Sequence, residues 1–256
     1  MNGEGKRVLL RVAYDGTAYH GWQRQQNGMT VQQVLEETLT ELLQEKTIVT
    51  GASRTDAGVH ALCNAAVFDT HARIPGEKIC YAVNQRLPQD IRAVASREVS
   101  LDFDLKKSRT HKTYEYRIVN APFPNPVKRL YSHFTYVPCN VERMRTASGY
   151  LVGEHDFRAF CTVGAQVETT IRRVTDISAT REGEDITIAV SGNGFLYNMV
   201  RIIAGTLLEV GYGRMEPERV EEILVSKERK NAGPTAPACG LCLTRLQIEG
   251  IQDLYG

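Results

Sequence analysis

The 256-residue chain has no run approaching the roughly 18–20 uninterrupted apolar residues that a membrane-spanning helix needs. Its opening, MNGEGKRVLLRVAYDG, carries an apolar stretch too short for a secretory signal and reads as a first strand. A cytosolic protein is expected. The chain also lacks an excess of either charge: 31 Lys and Arg stand against 30 Asp and Glu, a net of +1, so no global attraction to nucleic acid can be read from the balance. A local basic groove remains open if the acids lie elsewhere. The segment DLKKSRTHKTYEYR (104–117) is basic and aromatic together and would suit one. Six cysteines include a single CxxC, Cys239 and Cys242, with no second CxxC and no HxxxH. A zinc site would need two more ligands at suitable spacing. The motif leads into the apolar run GLCLTRLQIEG rather than a helix, which argues against a thioredoxin-like redox site.

What is present reads as mixed α/β. VLLRVAYDG is a strand ending in an Asp-Gly turn. In Val31–Lys46, apolar residues 31, 34, 35, 39, 42 and 43 recur at helical spacing behind Thr30, a candidate N-cap. TIVTGAS, Cys63–Thr70 and Ile91–Val99 read as strands, and GEKICYAVNQRLP as a helix stopped near Pro88. The theme then repeats. His111–Pro122 is a strand with Thr113 and Tyr114 on opposite faces, VERMRTASGYLVG a helix capped by Asn140, and residues 172–193 a hairpin turning at Glu182–Glu184. FLYNMVRIIAGTLLEVGYG is a long apolar helix, PERVEEILVS a short one with Pro217 near its start, and Gly240–Glu249 a final strand. No low-complexity linker interrupts the chain. Two α/β subdomains in series are expected, 1–105 and 106–256, their strands joined in one extended, mainly antiparallel sheet.

Two features carry chemistry. The loop TGASRTDAGVHA (50–61) sets Asp56 two residues after Arg54, between Gly51 and Gly58, whose backbones adopt shapes other residues resist. It can be a turn held by Asp56, a phosphate cradle, or the seat of a catalytic carboxylate kept ionised by a cationic neighbour. His60 continues into the following strand and reads as structural. The second feature is Arg201. From Phe195 to Val210 the only charges are Arg201 and Glu209, eight residues apart and too distant to pair easily on one helix. A guanidinium on a buried helix must meet a carboxylate or phosphate, or snorkel to solvent. Asp56 is one candidate partner.

AYDGTAYHGWQRQ, GASRTDAGVHA, VNQRLPQDI, KTYEYRI, GNGFLYNMVRIIAGTLLEVGYGR and GLCL occur in this order. Together they closely resemble the TruA family of tRNA pseudouridine synthases over nearly the whole chain. The resemblance implies two RRM-like (ferredoxin-like) subdomains, helices on one side of the sheet, an active cleft between the halves, and a homodimer. It implies that Asp56 is the nucleophile, that Arg54 engages RNA during base flipping, and that Tyr114 packs against the target uracil. Arg201 would pair with the aspartate, Leu241 would line the base pocket, and Arg24 of GWQRQ would contact RNA. The substrate implied is tRNA, at uridines 38, 39 and 40 of the anticodon stem-loop. Isomerising uridine adds no atoms, so no redox cofactor, metal or energy source is expected. Whether the carboxylate attacks C1′ or C6 stays open. Two rivals stand beside this reading: a non-catalytic RNA-binding protein on the same fold, and a metal or redox protein using Cys239 and Cys242 with His20 or His60.

Overall fold

The sequence offers both near-continuous apolar runs, as in VLLRVAY, and alternating ones, as in ITIAVSG, and the computed structural model, which describes residues 5–162 and 168–251, forms strands from both. The fold is mixed α/β with mainly antiparallel pairing. The chain divides into two compact units: Met1–Thr110 with Leu243–Gly256, and His111–Cys242.

In the first unit the elements run β1 (Lys6–Tyr14), α1 (Val31–Leu43), β2 (Thr50–Gly51), β3 (His60–Thr70), α2 (Ile79–Val83) and β4 (Ile91–Val99). β1 lies between β4 and β3, antiparallel to both, with Leu10 opposite Ala66 and Ser96. Val8 to Val12 are all buried, so β1 is covered on both faces. Arg11 lies among them at 1 % exposure, its Nη1 donating to the Cys63 carbonyl at 3.3 Å.

Val31, Leu35, Leu39 and Leu43 recur every four residues and bury one face of α1. Thr30 caps the helix by accepting from the Gln33 amide at 3.3 Å. α1 ends at Leu43 rather than Lys46, because Gln44 turns left-handed at φ 54°. The helix expected over Gly76–Pro88 is shorter still, a 3-10 turn over Gly76–Lys78 leading into α2. Asn84 ends it by turning its amide to β4, donating to the Ala93 carbonyl at 2.8 Å and accepting from the Ala93 amide at 2.9 Å. TIVTGAS makes only the two-residue β2.

The second unit is built from β5 (Thr110–Asn120), β6 (His133–Thr135), α3 (Val141–Gly149), β7 (Gly153–Asp156), β8 (Ile171–Glu182), β9 (Asp185–Gly192), α4 (Met199–Gly211) and α5 (Arg219–Ser226). β10 (Leu241–Ile248) starts here and continues into the first unit's sequence, where it lies beside β3. The strand order is β5-β9-β8-β7, with β6 parallel to β5. β8 and β9 form the expected hairpin, pairing Glu182 with Asp185 across Gly183 at φ 60°. Asn140 caps α3 by accepting from the Arg143 amide at 3.2 Å. α4 begins at Met199, four residues later than the apolar run suggests, because Asn198 is left-handed at φ 60°. Every residue of α4 except Arg201 and Glu209 is buried. α5 starts at Arg219 with Glu218 at its N-cap, so Pro217 stands two residues before N1. Among the described residues no helix is long and apolar enough to cross a membrane.

Candidate active site

Asp56 sits on a loop whose backbone is bonded on both sides. The Ala52 amide donates to the Ala65 carbonyl at 2.8 Å. At Ser53 the strand ladder is replaced by the amide of Asn64, which accepts from the Ser53 N–H at 3.2 Å and donates to its carbonyl at 2.9 Å. The Thr55 carbonyl accepts from the Trp22 amide at 3.0 Å, and the Thr55 hydroxyl lies 2.8 Å from the Tyr14 hydroxyl. The Gly58 amide donates to the Tyr19 carbonyl at 3.2 Å, and the Val59 amide to the Asp56 carbonyl at 3.1 Å, closing a turn. Gly58 has the left-handed backbone, φ 78°, that its place in the sequence suggested. Gly51 serves differently: a Cβ there would lie 2.2 Å from Nε1 of the buried Trp22, so the glycine lets the indole pack against the strand.

This frame leaves Asp56 half-buried between buried Thr55 and exposed Ala57, with Arg54 exposed two residues before it. Arg54 therefore shares the loop with Asp56 and faces solvent. His60 is buried, and its Nδ1 accepts the Gly16 amide at 3.0 Å, so its role in the fold is structural. Arg24 is half-exposed and already engaged, its Nη1 2.9 Å from Glu36 Oε2 and its Nη2 3.4 Å from Glu37 Oε1.

The second unit holds the other three predicted residues. Tyr114 lies on β5 opposite Val190, is buried, and meets the Phe195 ring edge-on at 5.4 Å between centroids. Such an edge-to-face pair fixes the plane of the phenol ring. Two residues away on the same strand face, Lys112 is opposite Gly192, and burial pulls its ammonium down to about 8. Tyr116, the next on that face, donates to the Pro237 carbonyl at 2.9 Å, and burial pushes its phenol well above the usual range. Leu241 is buried at the start of β10.

Arg201 is half-buried on α4, and its guanidinium bonds to Ala236 and to Asn198. Nε donates to the Ala236 carbonyl at 2.8 Å, and Nη1 donates to Asn198 Oδ1 at 2.8 Å. The Ala236 amide returns a bond to the Arg201 carbonyl at 3.1 Å, so side chain and backbone of Arg201 grip the same residue. The segment bearing Ala236 is laid tightly along α4. A Cβ on Gly205 would lie 1.8 Å from the Pro234 carbonyl oxygen, and the Gly233 amide donates to the Thr206 hydroxyl at 2.9 Å. Glu209 does not serve Arg201; its carboxylate lies 3.2 Å from Arg214.

Three residues of this architecture were not apparent from the sequence. Trp22 lies in GWQRQ but supports the loop from inside. Asn64 is the one polar residue in NAAVF, a signal that was available. Asn198 precedes Arg201 by three residues, and the apolar pattern absorbed it into the helix. All six cysteines are thiols outside any disulfide; Cys242 is buried, and the Cys239 thiol donates to the Ser132 carbonyl at 3.4 Å. Among the described residues no group of three or more His, Cys, Asp or Glu side chains could hold a metal ion.

The family model described as tRNA pseudouridine synthase matches residues 11–106 and 147–247. Curated relatives carry the name tRNA pseudouridine synthase A. The one from Acetivibrio thermocellus is 44 % identical over 241 residues, covering 94 % of this chain and 99 % of its own length. The one from Thermoanaerobacter sp. strain X514 is 45 % identical with the same coverage. That from Ruminiclostridium cellulolyticum is 46 % identical over 242 residues, again 94 % of this chain and 99 % of its own.

Proposed function

The chain belongs to the tRNA pseudouridine synthase family, a family of isomerases, and from that premise we propose that it converts uridines 38, 39 and 40 of the tRNA anticodon stem-loop to pseudouridine, with Asp56 as nucleophile. The observation that carries the reading is the Asp56 loop. A half-buried carboxylate stands on a backbone bonded at Ala52, Ser53, Thr55, Gly58 and Val59, inside the region the family model matches. A nucleophile needs an ionised carboxylate held at a fixed place, and this frame supplies the placement without a moving lid.

The reaction breaks the N1–C1′ bond and forms C5–C1′. The C5 proton leaves, N1 gains one, and the product is an isomer of the substrate. Asp56 attacks to begin the exchange. Arg201 supplies the cation that keeps the carboxylate charged. Tyr114 is the flat wall that keeps the detached uracil from leaving; stacking on an aromatic side chain contributes about 1–3 kcal/mol per base. Leu241 lines the base pocket. Extruding the target base costs a few kcal/mol. Exposed Arg54 is suited to hold the strand during that step. Arg24 contacts RNA more weakly in this scheme, since Glu36 and Glu37 already draw its charge. The reading carries with it a homodimer acting in the cytoplasm, with no bound cofactor.

The test uses tRNA tritiated at uracil C5. Wild type is expected to release tritium, and Asp56→Asn to lose at least about 10³-fold in rate. Equal release by both would overturn Asp56 as nucleophile. Wild type that binds tRNA and releases none would overturn the catalytic reading itself. Release from a stem-loop keeping only its uridines 38–40 tests the position.

A further inference from the structure

Asn is among the best N-cap residues, because its side chain accepts an amide of the first helical turn from an extended backbone. Asn198 occupies the N-cap of α4 and does neither. Its backbone is left-handed at φ 60°, and its side chain makes no capping bond. Its amide is used elsewhere. Oδ1 accepts from Arg201 Nη1 at 2.8 Å, and Nδ2 donates to Thr162 Oγ1 at 2.8 Å. The chemistry fixes which way the amide points. A guanidinium only donates, so oxygen must face Arg201; the hydroxyl of Thr162 is then free to accept from nitrogen. The residue thus gives up a favourable cap and adopts a backbone shape that few side chains take, and both departures serve Arg201.

The two anchors on Arg201 do different things. The Ala236 carbonyl takes Nε, at the root of the guanidinium, and a single bond there does not by itself set the orientation of the plane. Asn198 takes Nη1, a second bond from a different atom of the same plane, and so contributes to its orientation. Thr162 in turn holds the far end of the Asn198 amide, so the amide cannot flip. A backbone bond, Thr162 N–H to the Tyr197 carbonyl at 3.3 Å, ties the same two segments together.

From this chain of contacts we infer that Asn198 is a positioning residue of the isomerase reaction: it orients the Arg201 guanidinium, with Thr162 as its support. The inference rests on the proposed role of Arg201. It predicts that Asn198 affects turnover through Arg201 and not through the stability of α4 or the affinity for tRNA.

The test uses Asn198→Gly in the full-length protein. Glycine favours φ 60° and so preserves the backbone, while both side-chain bonds are lost. The expected result is a melting temperature within a few degrees of wild type, an unchanged KM for tRNA, and kcat lower by about 10- to 100-fold, the scale of an ångström-sized misplacement. Asn198→Asp keeps an acceptor for Arg201 and is expected to recover much of the loss. The decisive comparison is made in an Arg201→Lys background, where no Nη1 exists. There Asn198→Gly is expected to change kcat less than twofold. An Asn198→Gly enzyme with wild-type kcat, or one whose loss is undiminished in Arg201→Lys, overturns the inference. Wild type inactive on tRNA would instead remove the function on which it rests, so the two failures are distinguishable.

Discussion

The two units hold their key charged groups by different means. In the first, the loop that carries Asp56 is itself immobilised. Backbone amides and carbonyls meet those of Trp22, Tyr19 and Ala65, and the Trp22 indole fills the space beneath Gly51. In the second, Arg201 sits on an ordinary helix, where the backbone fixes only the root of a long side chain. Its head is aimed by acceptors recruited from Asn198 and Ala236. A short side chain on a braced loop inherits precision from packing. A long side chain on a rigid helix must have precision added at its end, since Arg has far more rotamer freedom than Asp. The first arrangement should therefore fail through stability and the second through geometry.

Breaking the packing is the most severe way to test this contrast. Trp22 is 2 % exposed, lies 5.8 Å from the Tyr14 ring between centroids, and its amide holds the Thr55 carbonyl. Trp22→Ala is expected to cost about 3–5 kcal/mol in urea unfolding. Turnover on tRNA should fall with it, since the loop loses its support. A stable Trp22→Ala protein, or an unstable one with unchanged turnover, would show that packing does not set the loop. In the second unit, Gly205→Ala drives a methyl group against the Pro234 carbonyl. The segment must lift, and the Ala236 carbonyl would leave Arg201 Nε with it. We expect a stability loss of about 1–3 kcal/mol and a drop in kcat larger than that loss explains. Equal proportional losses in the two variants would erase the distinction.

The smallest effects concern pH, and in both units stability rises with pH, over different windows. In the first unit, hydrogen bonding to Arg7 holds the Asp69 carboxyl below its ordinary 3.8. That contribution is present above 3.8 and lost as the pH falls through the lower folded value. The pair is partly exposed, so Arg7→Gln should remove no more than about 1 kcal/mol, and only above that acid range. In the second unit, burial lowers Lys112 from 10.5 to about 8. Between these values the unfolded chain binds the proton that the folded chain has released, so the Lys112 contribution to stability rises with pH. Melting curves of Lys112→Met should lack that alkaline gain. A wild-type profile indistinguishable from Lys112→Met between pH 8 and 10.5 would show that Lys112 is solvated.

Periodicity made most of the fold legible. Ile91–Val99 matches its strand end to end, and Thr30 and Asn140 cap the helices they precede. What periodicity missed has two causes. Short strands such as HFT and GEHD have too few residues to show alternation, so β6 and β7 were invisible. Single residues in left-handed conformation also leave no mark on an apolar pattern. Gln44 ends α1 just after its last apolar residue, and Asn198 starts α4 inside an apolar stretch. Arg201 drew attention as a cation in an apolar run, whereas Asp56 was singled out by the resemblance, since its loop alone reads equally as a turn. Asn198, Asn64 and Trp22 were not legible, because their work lies in who they touch, and touching is set by the fold.

The bonding of the Asp56 loop has a consequence in time as well as in space. The amides of Ser53, Gly58 and Val59 are all donors to protein acceptors, an unusual degree of protection for a segment outside regular structure. Hydrogen exchange at these positions should be as slow as in the neighbouring strands. A loop so tied down does not fold around a guest. In any encounter with RNA it behaves as the template, and the conformational search belongs to the nucleic acid.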